Sequence, residues 1–557
     1  MRPSISPTAA GSRVAHDSRE TAGSWPLPAF FLLLSATLSL LWSQGRLMWN
    51  DEFLSFYSDG VASFRQVVLV QLHYPISLDP PTYHLLSHLC MDVLGRNALA
   101  LRLPALAGFL LFQICVFLFV RRLAGERAAI VAMAAPICTA SFRYSLEGRP
   151  YGLLLGLYAL SLVCWQAAIR EAPGAAEAAT QPGSSANHPA GSRVLALIGL
   201  ALSIALAITS HYFGVLILIP VSLGELWRSV IRRRLDGGVL AALGLGLASV
   251  GLILPFRPAL MVYRRHYYIT GVNLHDISQG YRELFVRYTT WPMAMQRMTA
   301  ALLVILALAL AGAGWRRFQR RAEGESAAVW VGLASMALLP FFGYLFGRFV
   351  THTMEVRYVI AALIAFAATF GIVLERRLRS NAFYYAVLGV ITAAGVAING
   401  QNILRERAAS AAMLGSLQPS PALAAALAAH PYAPLYEQSL GNFFVDSYYT
   451  PDSELRRRIT LLYNPEQEVR WLQHDTYSIA ARNLQQFTRL PVVNYDEITR
   501  QPGEHLLIQW KDGWNWTAQA VAAEGATVTA LGACFGGEAV SVQWPQGAKD
   551  ERDGAIR

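Results

Sequence analysis

The chain has 557 residues, 54% of them hydrophobic and only 15% charged, a balance that excludes a soluble multidomain protein and puts much of the chain in a bilayer. The net charge of +10 is unevenly spread: residues 400–557 hold 13 Lys and Arg against 17 Asp and Glu, a balance of −4, which leaves +14 for residues 1–399. That excess lies between apolar runs, as topology determinants do, and no basic stripe marks a soluble domain, which excludes nucleic acid as a partner.

The first 24 residues are polar and read as a disordered cytoplasmic segment. The apolar run after them has no small-residue cleavage site behind it, so it reads as a retained span. At about 20 apolar residues per crossing, eleven spans are expected: 27–43, 99–120, 127–143, 150–169, 194–210, 212–231, 238–256, 297–315, 327–347, 356–374 and 382–399. Arginines mark alternate connections: Arg121, Arg122 and Arg127; Arg228 and Arg232 to Arg234; Arg316, Arg317, Arg320 and Arg321; Arg376, Arg377 and Arg379. The positive-inside rule makes that side cytoplasmic and puts loop 44–98, loop 257–296 and the tail outside. Lys511 and Lys549 are the only lysines, a bias of GC-rich bacterial genomes, so the expected location is a bacterial inner membrane.

In loop 44–98, residues 64–72 and 81–94 carry apolar side chains at helical spacing and are expected to lie in the interface plane. The Ala, Gly, Ser and Pro of 171–192 read as a flexible loop. The tail alternates expected strands (458–463, 505–510, 527–533, 539–544) with expected helices (466–487, 514–524). The chain thus divides into a transmembrane unit, 25–400, and a small extracytoplasmic α/β domain, 401–557. That domain has no Gly-rich phosphate loop, metal-ligand spacing or nucleophile elbow, which leaves it a supporting or acceptor-binding role. The five cysteines include no C-x-x-C pair, so neither a disulfide framework nor a structural zinc site is expected.

The candidate chemistry gathers on the outer side. Met48-Trp49-Asn50-Asp51-Glu52 sets adjacent carboxylates at the interface, where an apolar boundary can make a base; a solvated acidic pair fits equally well. His73 and Asp79 flank a proline turn and could line a polar pocket, although a metal would need a third ligand. Glu147 and Arg149 stand at a membrane boundary, where charge is costly without a partner or a function. His211 and Tyr212 interrupt two spans. Arg264 and Arg265, followed by His266, Tyr267 and Tyr268, suit a phosphate, a sugar or lipid headgroups. Arg357 and Tyr358 open a span, where arginine can grip a phosphate or merely snorkel.

These residues resemble the GT-C superfamily of membrane glycosyltransferases, in the branch of protein O-mannosyltransferases and aminoarabinose lipid A transferases. The likeness covers roughly residues 27–375 and rests on six short motifs: Asp51-Glu52, Pro80-Pro81-Thr82-Tyr83-His84-Leu85-Leu86, Leu101-Arg102-Leu103-Pro104, Glu147-Gly148-Arg149-Pro150-Tyr151, Thr209-Ser210-His211-Tyr212-Phe213 and Arg357-Tyr358. Gly148 stands where the family often has Ala, and Thr82 where it often has Leu. The resemblance implies a polyprenyl-phosphate sugar donor, a lipid, glycan or protein acceptor, and inversion at the anomeric carbon. It implies Asp51 as base with Glu52 orienting it, Glu147 on the acceptor or a divalent metal, Arg357 with Arg264 or Arg265 on the donor phosphate, and His211 and Tyr212 around the sugar. A transporter or flippase, or a polymerase or ligase, for lipid-linked sugars is the rival reading.

Overall fold

The computed structural model describes residues 25–170, 190–267, 271–286, 312, 325–510 and 515–545. Helix α1 is Pro26–Gly45, followed by three helices in the first long loop: α2 Asn50–Asp59, α3 Phe64–His73 and α4 Pro81–Leu94. Helices α3 and α4 form where helical spacing is expected in this loop. Pro81 starts α4 because the first helical position needs no N–H. Helix α4 turns His84, Ser87 and His88 inward and leaves Leu89, Val93 and Leu94 exposed, the polarity of a helix beside lipid. Helix α2 was read as loop; its Phe53 and Phe56, three apart, are buried.

Helix α5, Ala98–Ala134, contains Gly125 at φ 80°, outside helical geometry. The amide of Gln113 donates to the carbonyl of Met133 at 3.0 Å. A straight helix would separate those residues by about 30 Å, so the chain folds back at Gly125 and the expected spans 99–120 and 127–143 are its two arms. Helix α6 is Tyr151–Ala168. The helices Ala190–Ser210, Leu218–Arg232 and Gly237–Ala248 follow, with the long helix Asn381–Gly415 closing the bundle.

Among the described residues, seven helices are long and apolar enough to cross a membrane, or eight if the pair Ala327–Ala337 and Leu339–Thr351, bent by 55°, is one span. The expected eleven is not reproduced: span 297–315 lies outside the described residues, and Ala362–Leu374 is short. The protein is a multi-pass helical membrane protein. Arg127 donates to the carbonyls of Leu378 and Arg379, so two arginine-rich connections meet at one end of the bundle.

The closing helix runs through the expected boundary at residue 400 and ends at Gly415. Beyond it lies a six-stranded sheet of order β3-β2-β1-β4-β6-β5: β1 Leu435–Glu437, β2 Ile459–Tyr463, β3 Val492–Asn494, β4 His505–Gln509, β5 Thr527–Cys534 and β6 Gly537–Gln543. Strands β3, β2, β1 and β4 are parallel, and β6 and β5 add an antiparallel edge. One sheet face (Leu461, Leu506, Ile508) joins Phe53 and Phe56 of α2 in a single core; the other (Tyr436, Leu462, Leu507) packs on Trp516. The four expected strands are present, and the short β1 and β3 escaped a reading that needs runs of four or more. The expected helix 466–487 is two, Pro465–Leu472 and Thr476–Phe487. Glu468 breaks it by turning its carboxylate to cap the second helix at the N–H groups of Tyr477 and Ser478.

Candidate active site

The site is built where α1 gives way to α2. Asp51 and Glu52 occupy the first turn of α2, where the helix dipole favours negative charge. From there the two carboxylates diverge. Glu52 is fully buried and both its oxygens are engaged by Arg102, at 2.7 Å from Nε and 2.7 Å from Nη2. Its Oε1 also accepts the N–H of Gly148 at 2.7 Å. Burial alone would raise this carboxyl; the charges of Arg102 and Arg46 and the hydrogen bonds outweigh it and hold Glu52 below the ordinary carboxylate value. Arg102 spends its remaining N–H groups on Ser43 and on the carbonyls of Arg46 and Leu47, stitching the break between α1 and α2. A Cβ on residue 148 would come within 2.7 Å of the Leu101 side chain, which accounts for glycine there.

Asp51 looks the other way. Its Oδ2 lies 3.4 Å from Nη2 of Arg357, and the two side chains are 14% and 17% exposed, open enough to be reached. Arg357 sits among the rings of Trp49, Tyr151 and Tyr358, 5.6 to 5.9 Å from their centroids. Its Nε has no hydrogen-bond partner among the described residues. A planar cation held by ring faces, with a donor left over, suits a phosphate oxygen.

A third unit lies beside this pair. Arg149 bonds Asp79 at 2.5 Å, Ser77 at 2.6 Å and Ser55 at 3.2 Å. Burial would raise the Asp79 carboxyl, but the charges of Arg149 and Arg357 outweigh it and hold it low. Nδ1 of His211 accepts the N–H of Phe213 at 3.2 Å, while Nε2 faces Asp79 at 3.7 Å. Burial holds His211 at a pKa of about 4, so the ring is neutral at pH 7, with its proton on Nε2. The ring of Tyr358 lies 4.7 Å from that of His211, and Tyr212 is half-buried next in sequence.

Glu147 is buried, with an Oε1 that has no hydrogen-bond partner among the described residues. Glu355 is raised above the ordinary carboxylate value by burial, with Arg357 opposing. Among the described residues no three His, Cys, Asp or Glu side chains gather as metal ligands would. The cations beside Glu52, Asp51 and Asp79 are arginines.

No family model matches the chain, and no curated protein matches its sequence significantly. Solved structures do. ArnT from Cupriavidus metallidurans bound to undecaprenyl phosphate matches with a TM-score of 0.54 at 13% identity, over 94% of this chain and 99% of that one. Its apo state matches with a TM-score of 0.50 at 13% identity, over 92% and 98%. The Archaeoglobus fulgidus oligosaccharyltransferase in its apo form matches at 0.44 and 12% identity, over 84% and 69%. This chain has the fold seen in ArnT.

Within that fold, contacts join Asp51, Glu52, Asp79, Arg149, His211, Arg357 and Tyr358 in one region. Others stand apart. His73 is exposed and lines a separate cavity with Arg482 and Asn483 of the tail. Arg264 and Arg265 are exposed, and Arg264 donates to His352 at 2.9 Å. Arg102 was quoted only as part of a motif and given no task; an arginine in the first turns of an apolar span needs a partner, and that signal was available. Glu355 carried no signal of its own. The buried pair His84–Asp59, at 2.6 Å, also escaped notice because its members are 25 residues apart.

Proposed function

We propose that the protein transfers a sugar from a polyprenyl-phosphate donor to an acceptor hydroxyl at the outer face of a bacterial inner membrane, with the N-terminus cytoplasmic and residues 401–557 outside. The observation that carries this reading is the Asp51–Arg357 pair: a reachable carboxylate beside an arginine with an unspent donor. The acceptor oxygen attacks the anomeric carbon, its proton passes to Asp51, and the bond to the phosphate oxygen breaks. The lipid phosphate leaves with the electron pair and is met by Arg357. Attack opposite the leaving group inverts the anomeric centre. The neutral His211 offers an Nε2–H to a sugar hydroxyl, and Glu147 has an oxygen free for the acceptor.

Asp51→Asn is expected to lower transfer from a polyprenyl-phosphate sugar about 10²- to 10⁴-fold while leaving the melting temperature unchanged. A variant that turns over normally refutes the assignment. A reporter fused after residue 557 is expected to be active only outside the cytoplasm; a cytoplasmic reporter overturns the orientation and with it the placement of the site.

A further inference from the structure

The ends of the helices remote from Asp51 hold a second built cavity. Helix α6 runs from Tyr151, at the site, to Ala168; the helix Ala190–Ser210 runs back toward His211; and Leu218–Arg232 leaves it again. A cavity of about 380 Å³ lies where their far ends meet the start of Gly237–Ala248. Arg170, Arg193, Arg228, Arg232 and Arg234 line it, with Asp236 as the only carboxylate in the lining among the described residues.

Asp236 organises this cluster. It takes Arg193 through both oxygens, at 2.7 and 2.8 Å, and Arg228 at 2.7 Å. Arg228 is buried and also bonds Glu225. Asp236 further accepts the N–H of Val239, and Gly237 and Gly238 leave the helix end bare of side chains. Among the described residues, and counting Glu225, five guanidinium groups face two carboxylates. Fixed positive charge, a cavity and an open helix N-terminus together suit a phosphate group. The surroundings favour one carried by a lipid: Leu235 lines the cavity and is 68% exposed, and Leu195, Leu226 and Val230 on the same helices are exposed as well.

We propose that this cavity binds the phosphate of an anionic phospholipid headgroup at the membrane face opposite the active site, with the acyl chains along the exposed leucines. The test uses the full chain in phosphatidylcholine bilayers with or without phosphatidylglycerol, followed by native mass spectrometry of retained lipid. Phosphatidylglycerol is expected to be retained in preference to phosphatidylcholine. Replacing the two exposed residues together, Arg170→Gln with Arg234→Gln, is expected to lower its occupancy about 10- to 30-fold. The pair Arg376→Gln with Arg377→Gln, exposed in another connection, is expected to lower it little. If inorganic phosphate displaces the lipid, and itself protects the protein from thermal unfolding in an Arg170- and Arg234-dependent way, the same site serves a free phosphate and the lipid source is wrong. Equal retention of both lipids, or equal loss in both double variants, overturns the proposal.

Discussion

The regions on either side of helix α2 use the same two residue types to opposite ends. Below it, Arg102 and Glu52 are buried and every strong donor and acceptor is spent within the fold. Above it, Arg357 and Asp51 meet at 3.4 Å, partly open, with an arginine nitrogen unspent. A saturated pair can hold a backbone break in shape but has nothing left to offer a ligand. A loose pair holds little and can bind. Adjacent carboxylates therefore divide into one that is saturated within the fold and one that is open to a ligand, and what separates them is how many partners each already has.

That division can be broken most forcefully at Arg102. Arg102→Ala strands a buried carboxylate, and the expected loss is about 3–5 kcal/mol of stability, read as a lower melting temperature in detergent. A loss below about 1 kcal/mol would show that the lower pair is not structural. Arg357→Lys keeps the charge but loses the planar fork and the ring contacts. Its expected effect is a fall of about 10²-fold in kcat with an unchanged melting temperature, the reverse of the Arg102 pattern. A variant that lost stability and kept activity would erase the distinction.

A third buried carboxylate sharpens the comparison with a smaller effect. Asp446, in the tail helix Leu440–Tyr449, is buried with neither oxygen bonded, and burial, with Glu437 nearby, raises it well above the ordinary carboxylate value. A raised carboxyl stabilises the fold most below its unfolded pKa, and that contribution is lost as pH climbs through the higher folded value. Asp446→Asn is expected to match the parent at acidic pH and to exceed it by roughly 1 kcal/mol or more near neutral pH. Melting curves of both proteins across pH decide it; a constant difference would mean that Asp446 is not held neutral.

Much of the fold was legible because the bilayer demands it. Apolar runs and arginine-rich connections located the helices, and the proline at 81 fixed the start of α4. The tail strands were legible where β-rich runs were long. Less was legible at the site. Asp51, Arg149, His211 and Arg357 are drawn from four separate chain segments, and a sequence can nominate each without saying which touch. Only the family resemblance set Asp51 apart from Glu52, because the physical distinction lies in Arg102 and the Gly148 amide, 50 and 96 residues away. Nor could the sequence assign His73 to the tail interface and not to Asp79, since both flank the same turn.

The wall behind α2 has a consequence for how the protein comes into being. Phe444 stacks on Phe53 and Tyr57 at 5.4 and 5.2 Å, and the Tyr449 hydroxyl accepts the N–H of Met48 at 3.0 Å. Asp51 and Phe444 are separated by about 390 residues of synthesis, roughly 20–80 s at ordinary translation rates. For that interval the nascent chain holds Asp51 and Glu52 without the ring face on which their helix packs. The tail thus acts as a timer: a ribosome stalled before residue 444 leaves most of the membrane helices made and α2 without its packing partner.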